Sequence, residues 1–396
     1  RHLVVFHGYF ADAAQYIQRF DPAFGSWQAL PRFPAVLGSA GSATMLTIGG
    51  AIYICNVPDS HGSRGSCIRC LDVGSQRWSR LPGTPTRRCE AGAFAHRGML
   101  YICGGELANV HETSGWTSEK WKQCVSRSEE LPFQFQYARG LSAVERYDPN
   151  TDVWEVLPPM HENRSYDAVG ASLGEHLYVC CGGHLGHKPP FTRPYVQPCP
   201  ERFAVNGGRW ERLPAMPAHR SNVLKPFRAV TTRAALFVHE HGSGTIDCFH
   251  PASNCWTRLP EPSDSRTGAK IAVCNESLFL CGGFSLVVAE DGGNEDGLVS
   301  MPEALNSMLK YNFTSRSWEF IRWNTDFEIE HGISAVASFA GTLYLLGNQE
   351  WGDLEDHRYE GTLVSVNPQT GSSKTLLEQL PLFSRFPTQL ACPSGC

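Results

Sequence analysis

Glu145-Arg146-Tyr147-Asp148-Pro149-Asn150-Thr151-Asp152-Val153-Trp154-Glu155-Val156-Leu157-Pro158 joins an aromatic-Asp-Pro turn to a short strand that carries a lone tryptophan, with a Leu-Pro pair behind it. The same ending returns along the chain at Trp27, Trp78, Trp154, Trp210, Trp256 and Trp318. Leu-Pro follows five of the six, at Leu30-Pro31, Leu81-Pro82, Leu157-Pro158, Leu213-Pro214 and Leu259-Pro260. A pattern recurring at intervals of roughly fifty residues is one structural unit copied several times, and it outranks any local reading.

The unit has further parts upstream. Tyr101-Ile102-Cys103-Gly104-Gly105, Tyr178-Val179-Cys180-Cys181-Gly182-Gly183 and Phe279-Leu280-Cys281-Gly282-Gly283 are apolar strands closed by paired glycines. Glu145-Arg146-Tyr147, Glu201-Arg202-Phe203 and Lys310-Tyr311-Asn312 follow as third strands. Each copy reads as a small-residue strand, an apolar strand with its double glycine, a third strand ending in a turn, and a short fourth strand bearing the tryptophan. By these marks the chain resembles the kelch repeat over nearly its whole length. The resemblance implies an all-β, kelch-type β-propeller.

Elementary physics leads the same way. Four short strands cannot bury both faces of their own sheet, so the copies must stack, and radial stacking leaves only short edges exposed. Gly104, Gly105, Gly182, Gly183, Gly282 and Gly283 would let the backbone turn where a side chain meets the next sheet. The tryptophans would serve as apolar plates between blades, so these marks are architectural before they are anything else. Blades are expected near 38–84, 88–160, 164–217, 220–262, 266–323 and a degenerate 331–381. Residues 1–34 lack a first strand, which a tail strand within 385–396 would supply. The expectation is one propeller domain over 1–396 of seven blades, with six as the alternative, closed where the termini meet in a composite blade.

Some copies depart from the pattern. Asn56-Val57 and His239-Glu240-His241 replace the glycine pair, predicting looser turns. An insertion spans 106–142, where Trp116, Trp121, Cys124 and Val125 approximate helical spacing. A second long loop, 284–306, is acidic and glycine-rich.

The chain has 396 residues with a formal net charge of −5, which gives no global field for nucleic acid or an acidic membrane. Its fifteen cysteines include Cys55, Cys103, Cys180 and Cys281 at equivalent strand positions in different copies. Such positions lie too far apart to bond, so free buried thiols and a cytoplasmic location are expected. The chain starts inside a blade, as an excised domain would. The chemistry-bearing patterns are sparse. Cys67-x-x-Cys70 is half a zinc site without a second half, and the pairs His184/His187 and His239/His241 lack further ligands. No phosphate loop or nucleophile elbow is present. No catalytic residue, metal or cofactor is therefore expected.

One polar feature recurs. An arginine stands just before the first strand of several copies, as Arg88, Arg164, Arg220 and Arg266, with His331 in the slot of the seventh. Arg88 to Tyr101, Arg266 to Phe279 and His331 to Tyr344 share a thirteen-residue interval. Like positions in successive blades converge on one rim, so a ring of guanidinium groups is expected at the channel mouth, with Asn163, Ser165, Tyr166 and Ser221 nearby. Planar forks of donors suit carboxylates. The kelch resemblance implies that such arginines hold acidic peptide motifs in substrate adaptors, here best carried by Arg88, Arg164 and Arg266. Anchoring of backbone carbonyls is the equal alternative. With partly exposed side chains, alanine at Arg164 or Arg266 would change stability by no more than about 1 kcal/mol. The leading expectation is a protein-interaction module that binds a short acidic segment; the kelch resemblance further implies a recruiting role for a ubiquitin ligase. A sugar-oxidase-like or epimerase-like enzyme, a metal binder, and a cytoskeletal or regulatory scaffold are the other readings.

Overall fold

The computed structural model describes residues 3–7, 16–32, 44–57, 67–86, 88–107, 140–165, 168–183, 198–217, 227–264, 266–285, 303–323, 332–351, 358–382 and 389–391. Seven four-stranded antiparallel sheets account for most of them, and the fold is a seven-bladed, all-β propeller. The chain divides into two compact units, Ala35–Phe227 and the pair Arg1–Pro34 with Arg228–Cys396.

The Ala35–Phe227 unit holds three blades. Blade two is Thr44–Ile48, Ala51–Val57, Cys67–Asp72 and Arg77–Arg80. Blade three is Gly92–His96, Met99–Cys103, Val144–Asp148 and Val153–Leu157. Blade four is Ala168–Leu173, His176–Cys181, Glu201–Ala204 and Arg209–Arg212. The other unit holds blade one (Leu3–His7, Tyr16–Asp21, Ser26–Leu30), blade five (Phe227–Thr231 to Cys255–Arg258), blade six (Lys270–Cys274 to Ser317–Arg322) and blade seven (Ile333–Phe339 to Ser373–Leu382). Blade one is completed from the tail. Gln389–Ala391 pairs antiparallel with Leu3–His7 in the register Val4↔Ala391, Val5↔Leu390, Phe6↔Gln389.

The second strand of each blade reads as a continuous apolar run because neighbours cover both of its faces. Leu100, Tyr101, Ile102 and Cys103 are all buried, as are Leu177 through Cys181 and Leu236 through Val238. The core accordingly lies between blades. Tyr53, Cys55 and Leu81 of blade two pack with Leu100, Ile102 and Tyr147 of blade three. Phe237, Cys248 and Leu259 meet Ile271, Leu278 and Leu280 of blade six in the same way. Across these seams the double glycine permits close approach. Gly104 has φ +63°, and a Cβ there would lie 2.9 Å from the Arg164 carbonyl oxygen; at Gly282, φ +62°, it would lie 2.4 Å from Ile333 Cγ1. Asn56 adopts φ 60° without glycine. Its side chain donates Nδ2–H to the Ala91 carbonyl at 2.9 Å and so ties blade two to blade three. Asparagine tolerates that left-handed region and gains a partner in it, while the turn beyond Val57, expected to be looser, lies outside the described residues.

The tryptophans are less buried than a plate between sheets would be. Only Trp210 is fully buried, at 5% exposure, whereas Trp27, Trp78, Trp154, Trp256 and Trp318 are half-buried. They stand on the outermost strand, and all but Trp78, which faces Leu71, stack across it on the third-strand aromatic, Tyr147 with Trp154 at 5.2 Å and Phe203 with Trp210 at 5.1 Å between centroids. Their indole N–H groups explain the repeated Leu-Pro. Trp154 donates to the Pro82 carbonyl at 2.9 Å, Trp210 to Pro158 at 2.7 Å and Trp318 to Pro260 at 2.8 Å. In these three cases the proline carbonyl behind one tryptophan receives the tryptophan of the next blade.

Candidate functional site

Three of the repeated arginines make the same clamp. Arg88 Nη1 donates to the carbonyls of Gly104 at 3.0 Å and Ala143 at 2.9 Å. Arg266 Nη1 donates to those of Gly282 at 3.2 Å and Ser307 at 2.9 Å. Arg164 reaches Cys181 at 2.8 Å through Nη1 and Cys199 at 2.5 Å through Nη2. In every case the first acceptor ends or immediately follows the second strand and the other precedes or opens the third. The guanidinium therefore satisfies carbonyls that the sheet ladder leaves open where those strands part.

Burial decides what these arginines do. Arg88 and Arg164 are fully buried and Arg266 is 3% exposed. Arg88 Nη2 pairs with Glu145 Oε2 at 2.8 Å, and Arg164 Nη2 with Glu201 Oε1 at 3.1 Å, with both carboxylates fully buried. Burial pulls the Arg88 guanidinium below its ordinary value, and the Glu145 charge works against that. The other carboxylate oxygens hold loop backbone: Thr86 N–H donates to Glu145 Oε1 at 2.9 Å and His161 N–H to Glu201 Oε2 at 2.7 Å. Blade six differs. Its register sets Leu309 opposite Leu280, the position that Glu145 and Glu201 hold against Ile102 and Val179. The counter-charge comes instead from Asp264, whose Oδ2 accepts Arg266 Nε–H at 3.0 Å.

The geometry thus places Arg88, Arg164 and Arg266 in the carbonyl-anchoring role, one of the two left open by the sequence. Their burial also reverses the expectation of a mild cost on truncation, since removing one partner strands a buried charge. Ser165 is committed likewise: it is 1% exposed, and its Oγ donates to the Gly183 carbonyl at 2.6 Å. Asn163, next to the Arg164 clamp, is exposed. Arg220, Tyr166, Ser221 and His331 lie outside the described residues. So do His184, His187 and the span 108–139 with its expected helix. Glu145, Glu201 and Asp264 were missed as functional candidates. The signal for two of them was the Glu-Arg-aromatic run, whose leading acid repeats in the copies that carry Arg88 and Arg164.

Above two blades the clamp is part of a separate small ladder. Arg88–Cys89 pairs with Glu106–Leu107, and Glu106 bridges to Gly140. Leu141 and Arg164 exchange backbone bonds at 3.2 and 3.0 Å, which carries the arrangement on to blade four. In blade six, Arg266–Thr267 pairs with Phe284–Ser285, and this strand with Glu303–Ala304. The two long insertions thus each leave and rejoin the fold at a ladder pinned by an arginine. His239, placed in a loop by the sequence reading, is instead fully buried in the strand Leu236–Glu240. The apolar register of that strand explains the difference, since His239 takes the position of Cys103 and Cys281. Among the described residues, no three or more His, Cys, Asp or Glu side chains gather as metal ligands would. Cys55, Cys103, Cys180 and Cys281 are free, buried thiols.

The kelch motif family model matches residues 135–161. An F-box/kelch-repeat protein of Arabidopsis thaliana is 23% identical over 54% of this chain and 58% of its own length. Kelch domain-containing protein 8B of Homo sapiens is 30% identical over 39% of this chain and 37% of its own length. Kelch-like protein 35 of Mus musculus is 26% identical over 53% of the chain and 37% of its own. The chain thus spans between about a third and somewhat over half the length of these relatives.

Proposed function

We propose that the chain, which is similar to kelch-repeat proteins whose members generally mediate protein–protein interaction, is a docking module for a short segment of a partner protein. Kelch-repeat relatives are mostly interaction modules and not enzymes. The observation that carries the proposal is the repeated clamp: buried arginines hold the roots of the inter-strand loops in one geometry, while Asn163 beside the Arg164 clamp stays exposed. A fixed scaffold under variable loops is how repeat folds present a binding surface. Arg88, Arg164 and Arg266 are positioning residues in this reading. A preference for an acidic segment then rests on cations other than these three, with Arg220 and His331 the candidates from the repeat. One relative joins kelch repeats to an F-box by name. Recruitment of clients to a ubiquitin ligase is the role we extend to this chain on that footing.

The test is affinity capture with wild type and Asn163→Lys side by side, with melting temperatures measured on both. Loss of a defined set of proteins at unchanged melting temperature supports docking at this surface. Identical capture places the surface elsewhere.

A further inference from the structure

Between blades five and six lies a basic cluster that the docking role does not use. Lys270 opens the strand Lys270–Cys274 and stands opposite Cys281 in register. Its Nζ is 2.6 Å from His241 Nε2, so the amine donates and the imidazole nitrogen accepts. The His241 carbonyl in turn accepts Gly268 N–H at 3.0 Å, which fixes the residue. His239 lies two residues earlier, 6.3 Å away between ring centroids, fully buried, with no hydrogen bond to either ring nitrogen among the described residues. The nearby carboxylate of Glu240 accepts Ser243 Oγ–H at 2.6 Å. Among the described residues Lys270 has no carboxylate partner, and the residue as a whole is half-buried.

We propose that Lys270 is an acylation site, taking an acyl group from a small thioester or activated ester while His241 receives the proton. The free amine lone pair forms the N–C bond to the acyl carbon. The C–S or C–O bond of the donor breaks, and the thiolate or alkoxide leaves with the electron pair. The proton displaced from nitrogen passes to His241 Nε2 and then to water, so the amide forms without any change of oxidation state. Titration agrees with this assignment. Burial, reinforced by the Arg228 charge, brings the Lys270 ammonium down to about 8. Burial, then Lys270 and Arg228, brings His241 down to about 4 and leaves it a neutral acceptor near pH 7.

Limiting acetyl-N-hydroxysuccinimide at pH 7.5, followed by peptide mass spectrometry, reads the reaction on the whole chain. Lys270 is expected to be acetylated about ten-fold faster than the exposed Lys374 of the same molecule, with a half-maximal rate near pH 8. The comparison within one molecule needs no variant. Acetylation of Lys270 no faster than that of Lys374 overturns the proposal. So does an unchanged rate in folded His241→Gln.

Discussion

Arg88 and Glu145 form a fully buried ion pair, with Nη2 2.8 Å from Oε2 and neither side chain exposed. Glu145 also accepts the Thr86 amide, so one carboxylate joins the arginine to the loop that delivers it. Removing either partner leaves the other charged and desolvated. Arg88→Ala and Glu145→Ala are each expected to cost about 3 to 5 kcal/mol. The double variant Arg88→Met with Glu145→Leu should cost clearly less than the sum, because no charge is then stranded. Urea unfolding of the four proteins measures both statements.

Gly104 and Gly98 share a left-handed backbone but differ in their surroundings. A Cβ at Gly98 meets nothing within 4 Å, whereas at Gly104 it lies 2.9 Å from the Arg164 carbonyl oxygen. Gly98→Ala should cost about 1 to 2 kcal/mol for the backbone alone. Gly104→Ala should cost more, since the clamped backbone of Arg164 has to move. The difference between their melting temperatures tests the close approach.

Trp154 is half-buried, so its replacement by alanine should fall near the lower end of the range for large aromatics, about 3 kcal/mol, and Trp210→Ala nearer 5 kcal/mol. Trp154→Phe keeps the stack on Tyr147 and removes the bond to the Pro82 carbonyl, at a cost of about 1 kcal/mol. Denaturant titration of the three variants separates ring packing from the inter-blade hydrogen bond.

His239 is held neutral, its ionisation brought down to about 3 first by burial and then by the charges of His241 and Lys270. Arg228 acts in the same sense, while Glu240 opposes it. His241 follows at about 4. Their unfolded values lie near 6.5, so below that pH the unfolded chain binds protons that the native one refuses. Their contribution is complete above about pH 6.5 and falls as pH drops, by up to about 1.4 kcal/mol per pH unit for each histidine. Thermal melts between pH 7 and pH 4.5 should show wild type losing stability relative to His239→Leu as the pH falls. A stability difference that stays constant across this range contradicts the assignment.

The repeat made the blades legible. Trp154 and its counterparts mark outer strands, and the unpaired strand at Leu3 implied the tail strand that Gln389–Ala391 provides. The equivalence of Arg88 and Arg266 was also readable, because a fixed interval to a strand aromatic is a fixed place in the blade. What those arginines touch was not. Ala143, an acceptor of Arg88, lies 55 residues away in sequence, and Glu201, the partner of Arg164, lies 37 away. Only strand register brings them together. Burial of the tryptophans was overestimated for a related reason: an apolar residue in a short strand does not reveal whether that strand is inner or outer. Asn56 shows a third limit, since its amide replaces a glycine through a contact with Ala91 that belongs to the next blade.

Equilibrium unfolding of Arg164→Ala, read together with partner capture by the same variant, tests most directly whether the buried arginines brace the docking loops. The brace predicts a loss of about 3 to 5 kcal/mol, with capture weakened in step. A variant as stable as wild type that nevertheless loses its partner would contradict it, and would make Arg164 a contact residue.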